Sequence, residues 1–195
     1  MVGALASRGD AGAMGEVVLV RHAAATGQDA SAPLSADGYR QAGELADFLG
    51  RFDIDRVVSS PFRRAVESVE PFAHHRGLAI ETDARLVERV LSARSLPDWR
   101  EHLRRSFEEA DYCLLDGESS RVAQARATAA VLAASVGGLR SLVVTHGNLL
   151  ALILKWVDRD VGYEAWAQLS NPDVFVIHTD GPGQRRFRRV WTEAR

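Results

Sequence analysis

Val17-Val18-Leu19-Val20-Arg21-His22 is the stretch that decides the fold. Four apolar, mostly β-branched residues run without a polar break into an arginine and a histidine. Such a run predicts a strand buried on both faces, as in a parallel sheet with helices on each side. In sheets of that kind ligands bind outside the carboxyl ends of the strands, where Arg21 and His22 fall.

Working outward, two later strands end in the same manner. Arg56-Val57-Val58-Ser59 is a second short strand, followed by Ser60-Pro61, which reads as the N-cap and first position of a helix, with Arg63 and Arg64 in its first turn. Ser141-Leu142-Val143-Val144-Thr145 is another strand and ends in His146-Gly147, after which a nearly all-apolar helix starts at once and must be buried. Leu78 to Thr82 is the remaining strand before Glu88. Helices are expected over about 36 to 50, capped by Ser35, and from Ser95 through Leu96, Trp99, Leu103 and Phe107. Another presents Val122, Ala125, Ala129, Leu132 and Val136 on one face. A short helix follows around Tyr163 to Gln168. Val174 to Thr179 and Arg186 to Trp191 read as a hairpin turning at Asp180-Gly181-Pro182-Gly183. The expected fold is α/β: a three-layer α/β/α sandwich around a central, mostly parallel sheet. One domain over 16–195 follows a disordered tail over 1–15, and residues 90–118 form an insertion covering the site.

The chain has 195 residues, 46% hydrophobic and 26% charged, with a formal net charge of −2. That length suits one domain with a sizeable core. The charge gives no reason to expect a nucleic-acid or membrane partner, and no apolar stretch approaches the length of a membrane span. Cys113 is the only cysteine, so an internal disulfide and a cysteine zinc site are both excluded. The composition fits a cytoplasmic protein. The first 15 residues lack the apolar region of a signal peptide.

If the strands are mostly parallel, Arg21, His22, Arg63, Arg64, Glu88, His146 and Gly147 converge on one sheet edge. Arginines hold phosphate oxygens by charge-assisted hydrogen bonds, and a helix starting at Gly147 adds backbone N–H groups and a favourable dipole. Two histidines supply a nucleophile and a further donor. One carboxyl can protonate a leaving oxygen. No cluster has metal-ligand spacing, and no cofactor is expected. His74-His75 read as cations at a helix end, and Arg185, Arg186, Arg188 and Arg189 as a charged sheet edge.

Val20-Arg21-His22, Ser60-Pro61-Phe62-Arg63-Arg64-Ala65, Asp83-Ala84-Arg85-Leu86-Val87-Glu88 and Thr145-His146-Gly147 stand in an order that resembles the histidine phosphatase, or phosphoglycerate mutase-like, family. Pro33-Leu34-Ser35 and Gly117-Glu118-Ser119 resemble further family positions. The resemblance implies that His22 is the nucleophile, that Arg21, Arg64, His146 and Gly147 bind the phosphoryl group, and that Glu88 is the acid and then the base. It favours Arg64 over Arg63 because the family arginine precedes an alanine; periodicity alone leaves both open, and Arg63 can pair with Glu67 at i+4. The family often has Gly, Glu and Thr after the Arg-His pair, where Ala23, Ala24 and Ala25 stand here. Only a carbonyl is needed from the first of these to orient the histidine.

The implied activity is metal-independent hydrolysis of a small phosphorylated metabolite through a phosphohistidine. Phosphoglycerate mutase and protein phosphohistidine phosphatase are the alternatives; the latter branch tends to lack an acid at the Glu88 position. A non-catalytic phosphate-binding module would need only the arginines, and ranks last. The oligomeric state is not legible.

Overall fold

A computed structural model describes residues 15–179 and 185–191. The expected tail over 1–15, apart from Gly15, and the hairpin turn at 180–183 lie outside these residues. The described chain runs β1 (Val17–Arg21), α1 (Ala36–Leu49), β2 (Arg56–Ser59), α2 (Arg63–Arg76), β3 (Ile80–Thr82), α3 (Trp99–Glu108), α4 (Ser120–Ala134), β4 (Ser141–Thr145), α5 (Gly147–Val157), α6 (Tyr163–Ala167), β5 (Asp173–Thr179) and β6 (Arg185–Arg189). The six strands form one sheet in the order β3-β2-β4-β1-β5-β6. Neighbours from β3 to β1 are parallel, and β5 and β6 are antiparallel. The three-layer α/β fold is therefore the one the apolar runs predict.

Period-two alternation sends each central strand's side chains into two cores. Val17 and Leu19 of β1, Val143 of β4 and Phe175 and Ile177 of β5 join α3, α4 and α5 on one face. Val18, Val20, Leu142, Val144, Val174 and Val176 join α1 and α2 on the other. Val17 to Val20 are fully buried, each stabilising by roughly 1.5–3 kcal/mol. Arg21 pairs with Thr145 at the carboxyl ends of β1 and β4, and the His22 N–H donates to the Thr145 carbonyl at 3.0 Å. The chain leaves β1 over one face and β4 over the other, so a crevice opens where these two strands end.

Three local expectations are corrected. First, α2 starts at Arg63, with Phe62 at its N-cap and no side-chain cap. The ladder runs on one residue past β2, with the Ser60 N–H donating to the Val144 carbonyl, so Ser60 closes the strand instead of opening the helix. Second, α3 starts at Trp99 after Asp98, not at a Ser95 cap. Third, Val122, Ala125, Ala129, Leu132 and Val136 face solvent, while α4 buries Ala123, Ala127, Ala130, Val131 and Ala134. The helix is so rich in alanine that two stripes read as apolar; the stripe of small residues packs because it lets the helix lie close to α5.

Gly38 sets how closely α1 approaches the loop after β1. A Cβ there would stand 1.9 Å from the Ala24 carbonyl oxygen, the same oxygen that accepts from the Ser35 N–H at 3.0 Å. Gly38→Ala is expected to cost about 1–3 kcal/mol by overpacking, measured by urea unfolding. Activity should fall with it, because the displaced segment carries Ala23.

Candidate active site

Arg21, His22, Arg64, Glu88, His146 and Gly147 all reach the crevice. β1 delivers Arg21 and His22. The His22 Nδ1 lies 2.6 Å from the Ala23 carbonyl oxygen; a carbonyl can only accept, so Nδ1 carries the proton and Nε2 the lone pair. That lone pair accepts from Arg64 Nε–H at 3.1 Å. The alanine after the Arg-His pair thus supplies the one group asked of it. Its own N–H donates to Ser68 Oγ, and the Asn171 side chain donates to the His22 carbonyl at 2.7 Å.

The two arginines of α2's first turn part company. Arg63 is exposed and pairs with Glu67 at 2.7 Å, whereas Arg64 is 1% exposed and points to His22. Helix geometry explains the split, since consecutive residues face about 100° apart. Arg64 Nη1 donates to the carbonyls of Gln28 and Asp29. Arg21 Nη1 donates to the carbonyls of Leu169 and Ser170. Each guanidinium is aimed by backbone oxygens at one end. Gly147 opens α5 against Arg21: a Cβ there would touch that guanidinium at 3.1 Å.

Glu88 lies across the start of α5. Its Oε1 accepts from the N–H groups of Arg89 and Leu149, and its Oε2 from Asn148 N–H at 3.1 Å. The loop behind it is braced from α4. Arg126 donates to the carbonyls of Arg85 and Val87 and forms a two-pronged pair with Glu118 at 2.7 Å. Thr145 Oγ1 adds a bond to the Leu86 carbonyl. Next to Glu88, Arg89 ties the loop to α3 through Ser106 and to the Glu118 carbonyl. Glu118 and Ser60 sit in motifs singled out from sequence, Ser60 there as a helix cap; Arg126 had no signal of its own.

His146 is 1% exposed, its ring 5.0 Å from that of His22. Its Nε2 lies 2.8 Å from Ser60 Oγ, and its Nδ1 has no hydrogen-bond partner among the described residues. Desolvation, reinforced by Arg64 and Arg21, pushes His22 down to about 3 despite the Ala23 carbonyl. Desolvation also holds His146 well below the usual imidazole range. Both rings are neutral at physiological pH. Unfolded histidines titrate near 6.5, so the unfolded chain takes up protons first as pH falls. Stability due to these sites is full above about 6.5 and lost as pH drops towards 3, at up to ~1.4 kcal/mol per pH unit for each histidine. Urea unfolding at pH 7, 6 and 5 should show that slope, and His22→Asn should flatten it.

A cavity of about 530 Å³ is lined by the polar Arg21, Gln28, Glu88 and Asn148, with Gly147, and by the apolar Leu91, Trp99, Leu103 and Trp166. Among the described residues no group of three or more His, Cys, Asp or Glu is arranged to hold a metal, and no helix is long and apolar enough to cross a membrane.

Against known proteins, the model of the histidine phosphatase superfamily (branch 1) matches residues 17–191. The chain belongs to that superfamily. A 55-residue stretch is 47% identical to the uncharacterized protein Rv0525 of Mycobacterium tuberculosis, and the match spans only 28% of this chain and 27% of that relative. The probable phosphoglycerate mutase GpmB of Citrobacter koseri is 32% identical over 171 residues, covering 78% of each chain. Among solved structures, mycobacterial glucosyl-3-phosphoglycerate phosphatase Rv2419c in complex with VO3 superposes with a TM-score of 0.71. It is 25% identical, over 92% of this chain and 99% of that one. Histidine phosphatase membership supports a phosphatase or mutase enzyme.

Proposed function

We propose that the protein hydrolyses a small phosphomonoester through a phosphohistidine on His22, without a metal. The observation that carries this reading is the His22 ring, whose Nδ1–H is held by the Ala23 carbonyl and whose Nε2 lone pair points towards Arg64. A ring so fixed is a neutral nucleophile with one reactive atom. Substrate binding moves the Arg64 Nε–H from that lone pair to a phosphoryl oxygen, which uncovers Nε2 for in-line attack. Arg21, Arg64, His146 and the N-terminus of α5 hold the phosphoryl oxygens.

In the first step the Nε2–P bond forms and the ester P–O bond breaks, while Glu88 gives its proton to the leaving oxygen. Glu88 Oε1 already accepts two N–H bonds and Oε2 one, so Oε2 is the oxygen with room for that proton. In the second step water attacks phosphorus, Glu88 takes the water's proton and the P–N bond breaks. Inorganic phosphate and neutral His22 are released. The segment 90–118, within one domain over 16–195, covers the site and meets the leaving group through Leu91, Trp99 and Leu103. A cavity of about 530 Å³ has the size of a metabolite site.

A mutase is the second reading, favoured by the similarity to GpmB and by Asn148 on the cavity wall. A mutase must hold its product and exclude water, and Ala23, Ala24 and Ala25 offer no side-chain hydrogen bonds for that purpose. Phosphate release from p-nitrophenyl phosphate and a panel of phosphorylated metabolites is expected to persist after exhaustive chelation. Activity that returns only with added zinc or magnesium contradicts the metal-free route.

A further inference from the structure

Ser60 is fully buried at the end of β2, and its hydroxyl has two neighbours. The Phe62 N–H donates to its oxygen at 3.3 Å, and His146 Nε2 lies 2.8 Å away. The backbone amide uses an acceptor site, so the hydroxyl proton has one place to go, the Nε2 lone pair. The opposite arrangement, Nε2–H donating to Oγ, would leave the buried hydroxyl proton without an acceptor. Such an unmade bond is costly. Nε2 is therefore occupied from behind, and Nδ1, which has no partner among the described residues, is the nitrogen left for a ligand.

We infer that Ser60 is a positioning residue that fixes neutral His146 as its Nδ1–H tautomer, making it an uncharged donor to the phosphoryl group. The inference rests on the reading that His146 contacts that group. A neutral imidazole donates from one nitrogen only; with the proton on Nε2, a lone pair would face the phosphoryl oxygens and repel them. Burial first, and then the guanidiniums of Arg64 from α2, Arg126 from α4 and Arg21 from β1, disfavour a positive charge on the ring, so it works uncharged. Glu88 is held on the first amides of α5, at Asn148 and Leu149. The relay thus runs from Phe62 N–H to Ser60 Oγ, and from Ser60 O–H to His146 Nε2. His146 Nδ1–H then faces the ligand.

Two measurements test this. In full-length protein with ¹⁵N-labelled histidine, His146, assigned through His146→Gln, should show a protonated Nδ1 and an unprotonated Nε2 at neutral pH. Ser60→Ala should populate Nε2–H, and Ser60→Thr should restore the original pattern. For p-nitrophenyl phosphate, Ser60→Ala should lower kcat/KM on the order of tenfold to a hundredfold near pH 8, as for one lost hydrogen bond to a charged group. Ser60→Thr should recover most of the activity. A wild-type His146 protonated on Nε2 overturns the proposal, and so does a Ser60→Ala deficit that threonine does not rescue. The two readings fail separately. A wild-type protein that releases no phosphate contradicts the phosphatase reading, while the nitrogen signals still decide the tautomer.

Discussion

His22→Ala is expected to lower turnover by at least about three orders of magnitude, as when other nucleophiles are removed from sites that act as a unit. The size of the effect follows from how little else in the site can replace this ring. In the proposed mechanism its Nε2 is the reactive atom because the Ala23 carbonyl claims Nδ1, and with the ring pushed down to about 3 that atom is free of a proton at every working pH. His146 cannot take over, since Ser60 occupies its Nε2. The variant should still bind vanadate, because Arg21, Arg64 and His146 remain. Its unfolding midpoint near pH 7 should change little, since His22 lies at the edge of the cores and not within them. Steady-state kinetics with a vanadate titration checks both halves. A variant retaining a tenth of the activity would place the nucleophile elsewhere.

Glu88→Gln is the second large effect, and its signature is selectivity. An amide cannot give up a proton to the leaving oxygen, so alkyl phosphates should slow by about 10²–10⁴-fold. p-Nitrophenyl phosphate should suffer far less in its first step, since its leaving group departs without help. The substitution also disturbs the local fold. Three backbone N–H groups converge on the two carboxylate oxygens. A glutamine has one oxygen for them and turns an NH₂ towards the third, leaving a donor unsatisfied at about 1–3 kcal/mol. A series of phosphomonoesters of rising leaving-group pKa, assayed with both enzymes, reads the selectivity. Equal losses across that series would remove Glu88 from the role of acid.

The central sheet was legible because β1, β4 and β5 are buried on both faces and so carry unbroken apolar runs. Arg21, His22, Arg64, His146 and Gly147 were legible because each lies where a strand ends or a helix starts; Glu88, in the loop after β3, was legible only within the stretch that resembles the family. Arg64, left open against Arg63 by periodicity, was favoured by the family resemblance; Arg63 takes the i+4 partner Glu67 that spacing offered it, and Arg64 meets His22. The buried face of α4 was misread because alanine stripes on opposite sides of one helix look alike in sequence. Ser60 was read as a helix cap because Ser-Pro before a helix is such a signal, and its contact with His146 spans 86 positions. The brace from Arg126 to the loop of Glu88 was invisible for the same reason: it joins α4 to carbonyls about 40 positions away, and no local pattern announces a side chain that bonds backbone oxygens.

The fate of the phosphoryl group tests the central claim most directly. A rapid-quench experiment with a radiolabelled phosphomonoester should show an acid-labile adduct on the peptide containing His22, forming and decaying at rates consistent with turnover. Inorganic phosphate should appear as the adduct decays. Run beside it, conversion of 3-phosphoglycerate to 2-phosphoglycerate, primed with the bisphosphorylated intermediate, should be far slower than phosphate release. An adduct on His146, or interconversion that outpaces release of inorganic phosphate, would contradict the account.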